Sequence, residues 1–372
     1  MKIDDFSAFH LRFPLPRRYG DAQGLKTQRA TVLVRLRTDD GLTGWGDISV
    51  NGLNRQHLHD AAELLSGQDP RASAPQVERL ARLSPRIAGG VDMALADLRG
   101  KAAGMSVAML LGGPFRAAQP AYASLQNASE DSDIAGAAVA EAEHAMSLGF
   151  TSLKMKIGWH APEVDLAWIE RVLAALPHGV KLAIDANRAL DLAAARRIAR
   201  GIKDADRIMW FEEPLSNRIP SIYRELRDTI SLPVAGAESI PFPAIREVIT
   251  RRDMDIVNPD LIGHGGFERM QQLYALCETH GVRLVPHCFD GQIMRVATLH
   301  LLASWPDWEE RQGGFSAAPL EVDISPNPLR DELLERPLRP GADGLVAVPT
   351  EPGLGVTVNE DLVRRYGETT LS

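Results

Sequence analysis

The stretch MDIVNPDLIGHGGFERMQQLYALCETHGVRLVPHC, residues 254–288, sets the pattern for most of the chain. Two short apolar runs, MDIVNPD and VRLVPHC, flank an amphipathic helical segment, FERMQQLYALCETHG. A helix-length crossover between two strands is the connection that parallel pairing requires. Outward in both directions the unit repeats. The runs PAYASL (120–125), FTSLKMKI (150–157), VKLAIDAN (180–187), RIMWFEEP (207–214), LPVAGAES (232–239) and APLEVDI (318–324) complete a set of eight. Helical patterns such as AAVAEAEHAMSLGF and VDLAWIERVLAALP fill most of the intervals. Eight strands alternating with helices predict an α/β fold built on a closed parallel barrel. An open, doubly wound sheet would show the same alternation, but no glycine-rich nucleotide fingerprint opens any of the βα units.

The flanks read differently. Residues 30–38 (ATVLVRLRT) alternate, Asp39-Asp40-Gly41 turns the chain, and LTGWGDISV returns, which is a hairpin signature. Helical patterns follow around 54–66, 75–83 and 88–103. Residues 1–118 are therefore expected to form an α+β unit and 119–326 the barrel. Residues 327–372, rich in Pro and Gly, are expected to leave the barrel and pack back on the N-terminal unit.

A chain of 372 residues has room for a barrel and a second domain, and 45% apolar with 24% charged residues is ordinary for a globular protein. The net charge of −8 gives no attraction to nucleic acid or to an anionic membrane, so an anionic substrate would need local positive charge. Two cysteines, Cys277 and Cys288, are too few for a disulfide framework, and Cys277 reads as a small buried helix residue. The start, MKIDDFSAFH, lacks the apolar core of a signal peptide, and no apolar run approaches membrane-spanning length. A cytoplasmic location is expected.

The ionisable residues fall at the C-terminal ends of seven successive runs: Lys154 and Lys156, Asp185 and Asn187, Glu212 and Glu213, Glu238, Asp260, His287, and Glu321. In a parallel barrel these ends form the active-site face. Any one alone reads as a barrel-mouth ion pair. The series reads as a site, because charge at the ends of apolar strands is expensive unless paired or metal-bound. Asp185, Glu212 and Glu238 lie on consecutive strands, and neighbouring strands are about 4.8 Å apart. Three carboxylates at similar heights are expected to converge on one ion, and oxygen-only ligation suits Mg²⁺ best and Mn²⁺ next. Glu212 and Glu213 are adjacent, so only one points inward, and the apolar pattern does not say which.

Lys154 and Lys156 leave the same face of their strand. Two ammonium groups near a cation depress one another's pKa, and a lysine held partly neutral is a general base. Asp260 and His287 end adjacent strands, where the carboxylate is expected to hydrogen-bond the imidazole and fix its tautomer. Glu321 completes the ring and, if protonated, would hydrogen-bond a substrate carboxylate. Together these residues suit removal of the proton next to a carboxylate. The ion, Lys154 and Glu321 neutralise the developing enediolate, while Lys156 and His287 act as two acid/base groups.

The ordered set of motifs resembles the enolase superfamily and, within it, the mandelate racemase subgroup. It comprises KxK at Lys154 and Lys156, DxN at Asp185 and Asn187, EEP from Glu212, GAE ending at Glu238, PDxxxxGG from Asp260, PH at His287, LE at Glu321, and PGLGV at 352–356. The resemblance covers nearly the whole chain. It implies a (β/α)7β modified TIM barrel with an α+β capping domain completed by the C-terminal segment. It implies metal ligation by Asp185, Glu212 and Glu238, which selects Glu212 over Glu213, and assembly as a homo-oligomer. The Asp260–His287 pair points away from the muconate-lactonizing subgroup, whose second base is a lysine on the sixth strand.

The resemblance also implies that the loops of the capping domain select the substrate, the candidates being the loop FPLPRRYGDAQGLKTQ (13–28) and the stretch Asn51 to Asn54, while Asp290 to Arg295, after the seventh strand, is expected to touch the substrate's far end. Arg17, Arg18, Tyr19, Asp21 and Gln23 make the first of these polar, and Asn187 joins Arg17, Arg18 and Tyr19 as an expected substrate contact. A polyhydroxylated acid or diacid, or its lactone, fits better than an aromatic acid. The first expectation is dehydration of an acid sugar to a 2-keto-3-deoxy acid. The second is an isomerase, either a racemase or epimerase or a sugar-lactone cycloisomerase. A non-catalytic ligand-binding barrel would have lost a base or a metal ligand, and none is missing.

Overall fold

Two long strands open the chain, and a two-residue turn at Ala22-Gln23 joins them. β1 (Ile3–Asp21) and β2 (Gly24–Thr38) pair antiparallel from Ile3↔Thr38 to Asp21↔Gly24 in the computed structural model, which describes residues 1–51, 53–125, 128–129, 133–289, 291–309 and 313–371. The segment 13–28, expected as a loop, is thus the outer half of a hairpin. Its ladder lapses between Pro14 and Tyr19, where Pro14 and Pro16 have no N–H to donate. β3 (Thr43–Ile48) returns along β2 as expected.

Three helices cover this sheet: α1 (Arg55–Leu65), α2 (Ser73–Leu83) and α3 (Pro85–Ala103). Asn54 caps α1 by accepting from the Gln56 N–H, and Ser84 caps α3, with Pro85 in its first turn. The alternating Val32, Val34 and Leu36 meet Val91, Ala94, Leu95 and Leu98 of α3 in one core. The approach is backbone to backbone, since a Cβ on Gly46 would lie 1.9 Å from the Gly90 carbonyl oxygen. α4 (Val107–Leu110) ends the unit.

The barrel strands are β4 (Ala118–Ser124), β6 (Ser152–Lys156), β7 (Lys181–Asp185), β8 (Ile208–Glu212), β9 (Val234–Gly236), β10 (Ile256–Val257), β11 (Arg283–Leu284) and β12 (Leu320–Asp323). A short β5 (Ala128–Ser129) leaves β4 to pair with Tyr19 and Gly20 of β1. The helices α5 (Ile134–Ser147), α6 (Pro162–Ala175), α7 (Leu192–Gly201), α8 (Ser221–Arg227), α9 (Phe242–Arg251), α10 (Phe267–His280) and α11 (Gln292–Ala303) alternate with the strands. All neighbours pair parallel in the order β11-β10-β9-β8-β7-β6-β4-β12. Eight strands and seven helices make the (β/α)7β barrel. Its ends meet where the Cys288 N–H donates to Glu321 Oε2 at 3.0 Å.

After the barrel come α12 (Pro328–Asp331), β13 (Leu345–Ala347), α13 (Glu360–Tyr366) and β14 (Gly367–Leu371). β13 pairs with β4 of the barrel, while β14 extends the N-terminal sheet along β1. Buried aspartates fasten the parts at helix and segment starts. Asp92 accepts from the Phe267 N–H at the start of α10 (2.7 Å), Asp47 from Met294 N–H of α11 (2.8 Å), and Asp97 from Leu354 N–H (2.9 Å). Cys277 and Cys288 are buried thiols. No helix among the described residues is long and apolar enough to cross a membrane.

Candidate active site

The strand ends meet the β1–β2 hairpin across a cavity of about 600 Å³. Lys156, Asn187, Glu238 and His287 line it from the barrel side, and Asp21, Gln23 and Asn51 from the capping side. The turn residue Gln23 donates its side-chain amide to the Asn187 carbonyl, tying the two sides together. Gly291, Gln292 and Arg295 also line the cavity, as the segment after the seventh strand was expected to do. Asp290 of that segment and Gly52 of the Asn51–Asn54 stretch lie outside the described residues.

Arg17, Arg18 and Tyr19 do not line this cavity. Arg17 and Tyr19 border a smaller one with Glu141 and Ser325, and Arg18 is exposed. The cause is the hairpin itself: strand pairing carries these residues back from the turn, so that Asp21 and Gln23 reach the site instead. Tyr19 is buried with its ring 5.1 Å from the Arg29 guanidinium, so it holds an arginine rather than facing the cavity. Asn54 is spent on capping α1.

Beneath the cavity floor the charges are tightly paired. Lys154, 1% exposed, lies 2.6 Å from Glu212 Oε1, 2.8 Å from Glu321 Oε1 and 3.7 Å from Asp185 Oδ2. Lys156 donates to Asp185 Oδ2 at 2.6 Å. Burial acts to lower both lysines, but Glu212 and Glu321 for Lys154, and Asp185 for Lys156, outweigh it and raise them. Lys154 does depress Lys156 as expected, but the carboxylates around the pair outweigh that effect, so neither lysine is held partly neutral in this arrangement. Glu321 departs from expectation in the same way. Burial disfavours its charge, yet Lys154, His287 and Lys156 hold its pKa far below the ordinary range, so it is ionised and accepts from Cys288 instead of donating to a substrate.

Asp185 and Glu212 are register partners on β7 and β8, and Glu238 follows β9. Among the described residues, no three His, Cys, Asp or Glu side chains converge closely enough to hold an ion as they stand. Lys156 and Lys154 occupy Asp185 and Glu212, and Glu238 Oε1 faces His287 Nε2 at 3.8 Å. The donor set nevertheless fits a hard divalent cation in chemistry and in charge. It is all oxygen, and burial, with Asp185 and Glu321 beside it, pushes Glu212 up to about 7 against the pull of Lys154. The Glu212/Glu213 question also has a structural answer. Glu212 joins Lys154, and Trp210 Nε1 donates to it (2.9 Å), whereas Glu213 pairs outward with Arg188 (3.0 Å) and Asn217 (2.7 Å).

His287 lines the cavity, but its expected partner does not hold it. Asp260 accepts from the Gly263 N–H, and His287 Nδ1 is buried with no hydrogen-bond partner. Asp260 acts at a distance: burial would lower His287, while Glu238, Glu321 and Asp260 raise it to about 9. The imidazole is thus a cation poised to donate.

Sequence reasoning missed two features. Of five described non-glycine residues with positive φ, four follow β7, β8 and β9: Asn187 (43°), Arg188 (67°), Glu213 (38°) and Ala237 (77°). Backbone strain of this kind costs about 1–3 kcal/mol per residue and gathers at functional sites. Only Asn187 gave a residue-type signal for it. The second is a pair of arginines, Arg29 and Arg330, on the cavity wall beside Arg295, whose own segment was expected near the substrate.

Residues 137–362 match the enolase C-terminal domain-like family, and residues 18–112 match the mandelate racemase / muconate lactonizing enzyme N-terminal domain. The chain is 32% identical to the D-galactarolactone cycloisomerase of Agrobacterium fabrum, over 98% of this chain and 99% of that one. It is 27% identical to the arabinonate dehydratase of Saccharolobus solfataricus, over 90% of each. In structure it is similar to the 3,6-anhydro-D-galactonate cycloisomerase of Zobellia galactanivorans, with TM-score 0.85, 26% identity, and coverage of 99% and 100%. With both halves of the chain matched and the strand-end residues gathered as described, the protein belongs to the enolase superfamily, in its mandelate racemase subgroup.

Proposed function

We propose that the protein removes the proton α to the carboxylate of an acid sugar and expels the oxygen on the β-carbon, giving a 2-keto-3-deoxy acid and water. The observation that carries this reading is that Lys156 and His287, from β6 and the end of β11, line one cavity with Glu238 and Asn187. Superfamily members bind Mg²⁺. Held by Asp185, Glu212 and Glu238, that ion would neutralise charge gathering on the substrate carboxylate.

The remaining chemistry belongs to the chain. With Asp185 committed elsewhere, burial and Lys154 are what remain to lower Lys156, and its Nζ accepts the Cα proton. The electron pair moves into the Cα–Cβ bond as the Cβ–O bond breaks. His287 gives its proton to the departing oxygen, and the enol left behind ketonises. Lys154 and Glu321 form the buried pair on which this floor rests.

A second reading is favoured by the cycloisomerase relative that matches over nearly the whole chain. If the departing oxygen belongs to a lactone ring, the same bond breakage releases no water and the product is an isomer. The two readings share every residue named above. Incubating the Mg²⁺-loaded protein with aldonates, aldarates and their lactones, followed by mass spectrometry, separates them. Dehydration gives a keto acid lighter by one water. Consumption with unchanged mass assigns the isomerase, and no consumption of any acid contradicts both.

A further inference from the structure

The cavity carries a second cluster of charge that the proposed chemistry does not use. Arg29 of β2, Arg295 of α11 and Arg330 of α12 line it and gather around Asp323 at the end of β12. Arg330 Nη1 is 3.1 Å from Asp323 Oδ2, Arg29 Nη2 is 3.8 Å from the same oxygen, and Arg295 Nη2 reaches the Asp323 carbonyl at 3.5 Å. Arg330 is also paired with Asp331 at 2.8 Å, so its charge is matched. Arg29 lies between the rings of Tyr19 (5.1 Å) and Phe289 (4.6 Å), donates to Ser325 Oγ (3.2 Å), and has a buried Nε with no partner.

Arg295 stands apart. It is 4% exposed, makes no ion pair among the described residues, and its buried Nε has no hydrogen-bond partner. Among the described residues three guanidinium groups share two carboxylates, which leaves one positive charge unmatched on the cavity wall. Burying a lone charge is costly unless something pairs with it. Burial, then the nearby Arg330, accordingly pull Arg295 below its ordinary value. The planar fork of a guanidinium matches a carboxylate, and one unmatched charge suits a carboxylate better than a phosphate of nearly twice the charge.

We infer that Arg295, steadied by Arg29 and Arg330 around Asp323, binds a second carboxylate of the substrate, so that the protein selects dicarboxylic acid sugars over monoacids. This rests on the proposed function for the reacting end of the substrate and adds the recognition of its other end. It also gives Tyr19 and Phe289 a part, as the aromatic clamp that orients Arg29.

The test is calorimetric titration of the Mg²⁺-loaded protein, in a Lys156→Arg background that lacks the proposed base and so turns nothing over, with a six-carbon aldarate, the matching aldonate, and the matching 6-phosphoaldonate. The aldarate is expected to bind about tenfold or more tighter than either, the scale of one charge-assisted fork. Arg295→Met is expected to remove that preference, through weaker aldarate binding, and Arg29→Gln to weaken the preference, with thermal unfolding showing each variant folded. Equal binding of aldarate and aldonate, a preference for the phosphorylated acid, or a preference that survives in a folded Arg295→Met protein would overturn the inference. If Arg295→Met does not fold, a preference unchanged in Arg29→Gln overturns it. Because titration reads binding alone, absence of turnover with every acid would sink the proposed function and leave this result standing.

Discussion

Lys154 and Lys156 leave one face of β6 two residues apart, yet their surroundings give them different parts. Lys154 is enclosed by Glu212, Glu321 and Asp185, whereas Lys156 pairs with Asp185 and borders the cavity. Lys154→Ala is expected to lower stability by about 3–5 kcal/mol in denaturant unfolding, because it leaves buried carboxylates uncompensated. Lys156→Arg keeps a cation beside Asp185 but cannot give up its proton, so the variant is expected to fold and to lose about 10³-fold or more in kcat/KM. His287→Asn is expected to lose turnover on the same scale while Mg²⁺ binding survives; normal turnover in either variant would remove that residue from the mechanism. The strand-end charges were legible in sequence because they interrupt apolar runs. Their pairing was not, since Lys154–Glu321 and Lys156–Asp185 are made between strands. Of the arginines around Asp323, Arg295 lay in a segment read as facing the substrate, whereas Arg29 and Arg330 gave no signal, because each looks like a solvated residue.

At the scale of elements, the βα periodicity was readable because the barrel strands are buried on both faces and most of the helices on one, α11 being buried all round. The outer half of the β1–β2 hairpin was not, since two prolines and a run of polar residues resemble a loop and only pairing with β2 makes it a strand. The seating of α10 on the capping unit was equally invisible. Asp92 reaches across to the Phe267 N–H, against a Gly266 whose φ of 100° and missing Cβ make room for it. Burial raises Asp92 from 3.8 to about 6. The folded chain therefore holds this proton more tightly than the unfolded chain, so the contribution is greatest below the unfolded value and is lost as pH rises through the folded one. Asp92→Asn keeps an acceptor for Phe267 without the charge. Its stability relative to the parent is expected to rise by on the order of 2–3 kcal/mol between about pH 4 and about pH 7.5. A difference that does not change with pH would contradict the assignment.

For the whole molecule, the chain closes on itself. β14 joins β1 and β13 joins β4. The hairpin turn bonds to Asn187, while Asn327, Leu329 and Arg330 line the cavity, so the capping unit, the barrel and the C-terminal segment meet there. Sequence carried the architecture this far because strand number and order follow from the eight runs. It left the reaction open because departure of a hydroxyl and of a ring oxygen use the same residues. The step both share is loss of the α proton, and it is the account's central claim. The most direct measurement is proton NMR of candidate acid sugars incubated with the Mg²⁺-loaded protein in D₂O. The account predicts that the α-proton signal of at least one acid disappears, through exchange or conversion, and that it persists with Lys156→Arg. Persistence of every α-proton signal with the parent protein, or its loss at an undiminished rate with Lys156→Arg, would contradict the account.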